Sequence, residues 1–206
     1  SQVSDPITEL QQMTRDYASF ARSRAGLGNV LGGIVGIVVF GIIVIFGHGV
    51  AVAISAIALT FAWILGRDVL RHWLYQPFGP AREQWIGKQR STHLVMTGIF
   101  TVALLAFAVV LVAGGWLTKP VGWVYLVFCL LTPLIAWHTF FTVPEMVLGF
   151  DLLFMCAIVA SGHTPDLLGM ATAPTYALAM IPVGLQEHQQ FQSLKRRLQA
   201  RGEATA

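Results

Sequence analysis

The sequence predicts an all-α polytopic membrane bundle, with six transmembrane helices preceded by an amphipathic helix lying in the membrane interface. Three observations lead there. The 206-residue chain is 55% hydrophobic and 11% charged, with mean hydropathy +0.67, far from the averages of soluble domains. Its apolar residues gather into runs of about 20, the length that crosses a bilayer core. Its basic residues fall almost wholly on one side of those runs. Arg15, Arg22 and Arg24 precede the first run, and Arg67, Arg71, Arg82, Lys88 and Arg90 separate the second from the third. Lys195, Arg196, Arg197 and Arg201 follow the last, leaving Lys119 alone on the opposite side. Cytoplasmic loops hold Lys and Arg, so both termini are expected in the cytoplasm.

The elements follow in order. Asp5-Pro6 is a helix start, and Ile7, Leu10, Met13, Tyr17 and Phe20 then recur at helical spacing. Glu9, Gln12, Arg15, Asp16, Ser19 and Arg22 take the other face. Residues 1–27 therefore read as a cytoplasmic amphipathic helix, either in the interface or docked on the protein's own inner loops. The spans of the domain 28–185 are expected at about 30–47, 50–66, 94–113, 121–141, 146–161 and 167–185. Residues 67–75 form a basic, aromatic stretch able to continue the second span beyond the bilayer. Gln76-Pro77-Phe78-Gly79-Pro80 must break it, and Ala81–Arg90 reads as a short interfacial helix. Pro133, Pro144, Pro174 and Pro182 are expected to divide the second half into shorter or kinked pieces. Residues 186–206 are a basic cytoplasmic tail with Phe191, Leu194 and Leu198 on one stripe.

Composition also narrows the function classes. The net charge of +3 follows from membrane topology, which removes the argument for nucleic acid. Cys129 and Cys156 lie within apolar runs and read as small hydrophobes, not a disulfide framework. The polar first 26 residues hold no short apolar core with a cleavage site, so the first span is expected to direct insertion itself.

Gly28, Gly32 and Gly36 are four apart with Gly33 beside them, a spacing that lets another helix approach to backbone contact. It serves packing within the chain or a homodimer seam. Asp151 lies about two turns into the fifth span, where an ionisable group is costly and marks a candidate site. His138 and Glu145 flank the preceding inner turn. The three are expected to share a cytoplasm-facing cavity and to relay protons or bind a cation. The alternative is structural, with Asp151 bonded to a hydroxyl or to Arg67. No His-x-x-His, Glu-x-x-His or Cys-x-x-Cys spacing supports a metal, and nothing in the sequence calls for a cofactor.

The order of an N-terminal interfacial helix, six spans and an inner loop after the second span resembles the permease subunits of ABC-2-type exporters. The resemblance is one of topology and carries no sequence motif. It implies a transport subunit working with a cytoplasmic ATPase, docked along residues 71–90 through Arg71, Arg82, Trp85 and Arg90. Two further readings stand beside it. One is an accessory or scaffold subunit of a larger membrane complex. The other is an intramembrane enzyme acting on a lipid or isoprenoid, with Asp151, His138 and Glu145 as acid–base residues. The bacterial inner membrane is the expected location.

Overall fold

The computed structural model describes residues 6–75, 87–162 and 171–205, and among these every regular element is helical. The chain runs α1 (Pro6–Ser23), α2 (Leu27–Phe46), α3 (Val50–Leu74), α4 (Gly87–Ala113), a 3-10 turn (Trp116–Thr118), α5 (Pro120–Thr139), α6 (Val143–Ala160) and α7 (Thr172–Thr205). Among the described residues, five helices are long and apolar enough to cross a membrane: α2, α3, the Arg90–Ala113 part of α4, α5 and α6. In lipid the backbone must bond to itself, which a continuous helix achieves. Thr172–Leu185 forms the apolar half of α7, and the expected start of a sixth span at Leu167 lies outside the described residues.

Element ends follow local chemistry. Pro120 opens α5 at a position where the missing N–H costs nothing. Thr142 and Glu145 form a reciprocal capping box at the start of α6, with Pro144 in its first turn. At 25 residues α3 is about 37 Å long and exceeds the bilayer core of about 30 Å. Its last two turns carry Arg67, Arg71 and His72 past the apolar stretch. Two prolines act differently from expectation. Pro133 lies within the continuous α5 and Pro182 within the continuous α7. Each removes one backbone donor without ending its helix, a loss that neighbouring helices absorb in membrane bundles.

Helix α2 is the centre of the packing, with α3, α6 and α7 against it; α5 joins α6 to the more peripheral α4. The main core includes Val39, Trp63, Phe140, Leu148, Leu152 and Ala177. A second cluster between α4, α5 and α6 is aromatic, with Phe100 edge-on to Phe150 at 4.4 Å and Phe150 stacked on Phe154. A third cluster joins α1 to the far half of α7, where Tyr17 stacks on Phe191 and Phe20 tilts against both Phe191 and Tyr75. Part of the α1 face expected to lie in the membrane interface is therefore buried against protein.

Candidate functional site

The polar interior gathers at one end of the bundle, where the start of α2, the end of α3, the α5–α6 turn and the middle of α7 meet. Glycines make this possible. A side chain on Gly28 would meet Arg67 Cγ at 2.6 Å, and one on Gly32 would meet Trp63 and Leu148. On the other face of α2, Gly33 and Gly36 lie against Ala177. Gly184 of α7 returns the contact by lying against the Gly26 carbonyl and Val30. The four glycines read from the sequence thus line two faces of one helix within the chain.

Arg67 is 3% exposed and reaches across that end. Its guanidinium donates to the Thr139 carbonyl at the end of α5 and to Asp68 at 3.2 Å. It lies 3.6 Å from the buried Glu145 carboxylate, an ionic contact longer than a hydrogen bond. It also packs over Phe140 and Trp63, with 5.3 and 5.8 Å to the ring centroids. The Trp63 indole donates to the Gly28 carbonyl at 3.0 Å. Glu145 Oε2 meanwhile accepts from the Phe141 and Thr142 amides at 3.1 and 3.3 Å. Arg71 bridges to Asp68 at 3.7 Å and stacks over Phe141. His93, buried on α4, donates Nε2–H to the Phe140 carbonyl. Helices α2 to α6 are thereby tied to the α5–α6 turn or to one another, and the charges gathered there balance, Arg67 and Arg71 against Asp68 and Glu145.

A second cluster adjoins the first. Helix α2 has no side-chain cap of its own. Residues from other helices cap it instead. Glu187 Oε2 accepts from the Gly26 amide at 2.8 Å and from Asn29 Nδ2 at 3.1 Å, and the Tyr75 hydroxyl accepts from the Leu27 amide at 2.9 Å. Tyr75 also bonds His188 Nδ1 at 3.0 Å. Gly26 has φ +52°, and a Cβ there would collide with Tyr75, so glycine is required at this corner. Burial raises the Glu187 carboxyl above its usual value, the two donors and Arg24 oppose that rise, and the Glu145 charge adds to it.

The sequence candidates are distributed unevenly over this geometry. Glu145 belongs to the Arg67 cluster. His138 lies exposed in the last turn of α5, apart from it. Asp151 is half-buried on α6, the helix that Tyr176 of α7 reaches. Tyr176 itself donates to the Pro144 carbonyl at 3.3 Å. Among the described residues no hydrogen bond or ion pair engages Asp151, and no group of three His, Cys, Asp or Glu side chains could hold a metal. Arg71 is partly enclosed by Asp68 and Phe141, Arg90 is exposed at the start of α4, and Arg82 and Trp85 lie outside the described residues. Asn29, Tyr75, Glu187 and His188 carry no site motif in the sequence. The available signals were an asparagine in the first turn of an apolar run and a Glu-His pair directly after one.

The chain matches no family model, no curated protein and no solved structure. What its described residues define is a class: an all-helical protein in which five helices are able to cross a membrane.

Proposed function

We propose that the chain is a membrane-embedded subunit of a transport system in which Asp151 binds a proton or a small cation. One contrast carries the reading. Arg67 and Glu145 are buried and neutralise each other, whereas Asp151, inside a span, has neither a cationic nor a hydrogen-bonding partner among the described residues. An acidic side chain at that depth costs about 3 kcal/mol on insertion scales and is retained where it serves a pathway. Thr172–Leu185 belongs to the sixth crossing in this reading. Its antiparallel packing along α2, from Ala177 beside Gly36 to Gly184 beside Gly26, supports that assignment, and with six crossings both termini would share one side. In the fuller form suggested by topology, a cytoplasmic ATPase docks along residues 71–90.

The test is proton flux into vesicles that contain the purified protein and an entrapped pH dye, driven by an imposed potential. Wild-type protein should conduct and Asp151→Asn should not, with equal yields of folded protein. Equal flux from both, or none from wild type, overturns the role of Asp151. The ATPase is tested separately, by co-purification from native membranes with and without replacement of Arg82 and Trp85.

A further inference from the structure

The outward apolar stripes of two crossing helices differ in length. On α5, Trp123, Val127, Leu130, Leu134 and Trp137 are exposed at helical spacing, with a half-exposed tryptophan at each end. Tryptophan favours the membrane–water interface, so this pair marks two lipid boundaries. Fourteen positions separate the two rings, about 21 Å along the axis. Helical side chains lean toward the N-terminus alike, so the rings keep close to that separation. On α3 the exposed stripe runs from Val50 through Ile54, Phe61, Leu65 and Val69 to Trp73, about 35 Å. An ordinary hydrocarbon core is about 30 Å thick. Tilting fits the long stripe of α3 into it. Tilting α5 only shortens its stripe further.

Neighbouring bonds fix both ends of α5. The Trp123 indole donates to the Leu117 carbonyl at 2.9 Å, in the 3-10 turn where Lys119 lies 5.9 Å over Trp116. At the other end Arg67 donates to the Thr139 carbonyl and His93 to the Phe140 carbonyl, which holds the α5–α6 turn level with Arg67. Helix α3 continues seven positions beyond Arg67 to Leu74, about 10 Å. The exposed His138 adds a polar group beside Trp137 at that recessed end. The shortfall therefore lies on the side of the Arg67 cluster. The stripe also fits lipid better than another helix, because no glycine, alanine, serine or threonine stands among the exposed residues of α5.

We propose that α5 borders a locally thinned bilayer, its partner being phospholipid whose acyl chains are short or compressed beside Trp137. This rests on α3 and α5 crossing the bilayer and uses no property of Asp151. The experiment places 5-fluorotryptophan in the full chain, in nanodiscs of phosphatidylcholine with 18-carbon chains. Trp123→Phe and Trp137→Phe assign the two fluorine signals. Doxyl groups at carbon 5 or carbon 16 of the lipid chains then broaden signals near the interface or near the midplane. Both signals should be broadened more by the carbon-5 probe. Stronger broadening of either by the carbon-16 probe overturns the proposal, since one end of the stripe is then submerged in an unthinned bilayer. Broadening by neither probe also overturns it, because protein then covers the face. In nanodiscs of 14-, 18- and 22-carbon lipids, the melting temperature should fall by several degrees as the chains lengthen. Trp137→Leu with His138→Leu extends the apolar stripe and should flatten that fall. A melting temperature that rises with chain length, or a folded double variant with the wild-type slope, counts against thinning at α5.

Discussion

The two sides of the bundle are assembled by opposite means. Around α2 the helices approach to backbone contact over glycines, close enough for Trp63 to reach the Gly28 carbonyl. Between α4, α5 and α6 they are held apart by rings, with Phe100, Phe128, Phe150 and Phe154 interleaved. Lipid chains are as apolar as the side chains, so shape and polar contacts decide association in a bilayer. The glycine side therefore demands exact residue size but permits buried charge. The aromatic side tolerates variation and leaves much of α4 facing outward, including Val95, Ile99, Val102 and Val109.

Substitutions can break this contrast in graded steps. Gly33→Leu should do most damage, because even a Cβ would lie 2.5 Å from the Ala177 carbonyl, a backbone atom that cannot turn aside. Loss of the monodisperse folded protein on size-exclusion chromatography is the expected result. Arg67→Met leaves Glu145 buried without its countercharge and should cost about 3–5 kcal/mol in reversible unfolding. Replacing both, Arg67→Met with Glu145→Gln, should recover part of that loss. Phe150→Ala opens a cavity on the aromatic side and should cost about 3 kcal/mol while leaving the polar end intact. Gly41→Ala, with open space around it, should change stability by no more than about 1 kcal/mol, in the stabilising direction. An equal penalty for Gly41→Ala and Gly33→Ala would remove the claim that close helix approach, and not glycine itself, sets what α2 tolerates.

Much of this was legible in the residues themselves. The apolar runs located α2, α3, α5 and α6 to within a few positions, because a bilayer leaves a greasy segment few alternatives to a helix. The continuation of α3 past Arg67 was readable from its unbroken basic and aromatic run. The site was less so. Asp151 and Glu145 stood out as charges near apolar segments, but depth along a helix does not specify azimuth. Glu145 turned toward Arg67, His138 turned outward, and Asp151 is half-buried on α6 away from both. The capping box at Thr142–Glu145 was written in the local order Thr-x-x-Glu, and it explains part of what Glu145 does without any relay. The Glu187–Gly26 pairing joins residues 161 apart, so local order carried no sign of it.

Helix α7 has a mechanical consequence. It is a single unbroken rod whose near half is keyed into the glycines of α2 and whose far half carries α1 and the basic residues Lys195, Arg196 and Arg197. A load on that far half reaches the α2 seam through one continuous helix, and Pro182, which lacks a backbone donor, is the point along it where bending would concentrate.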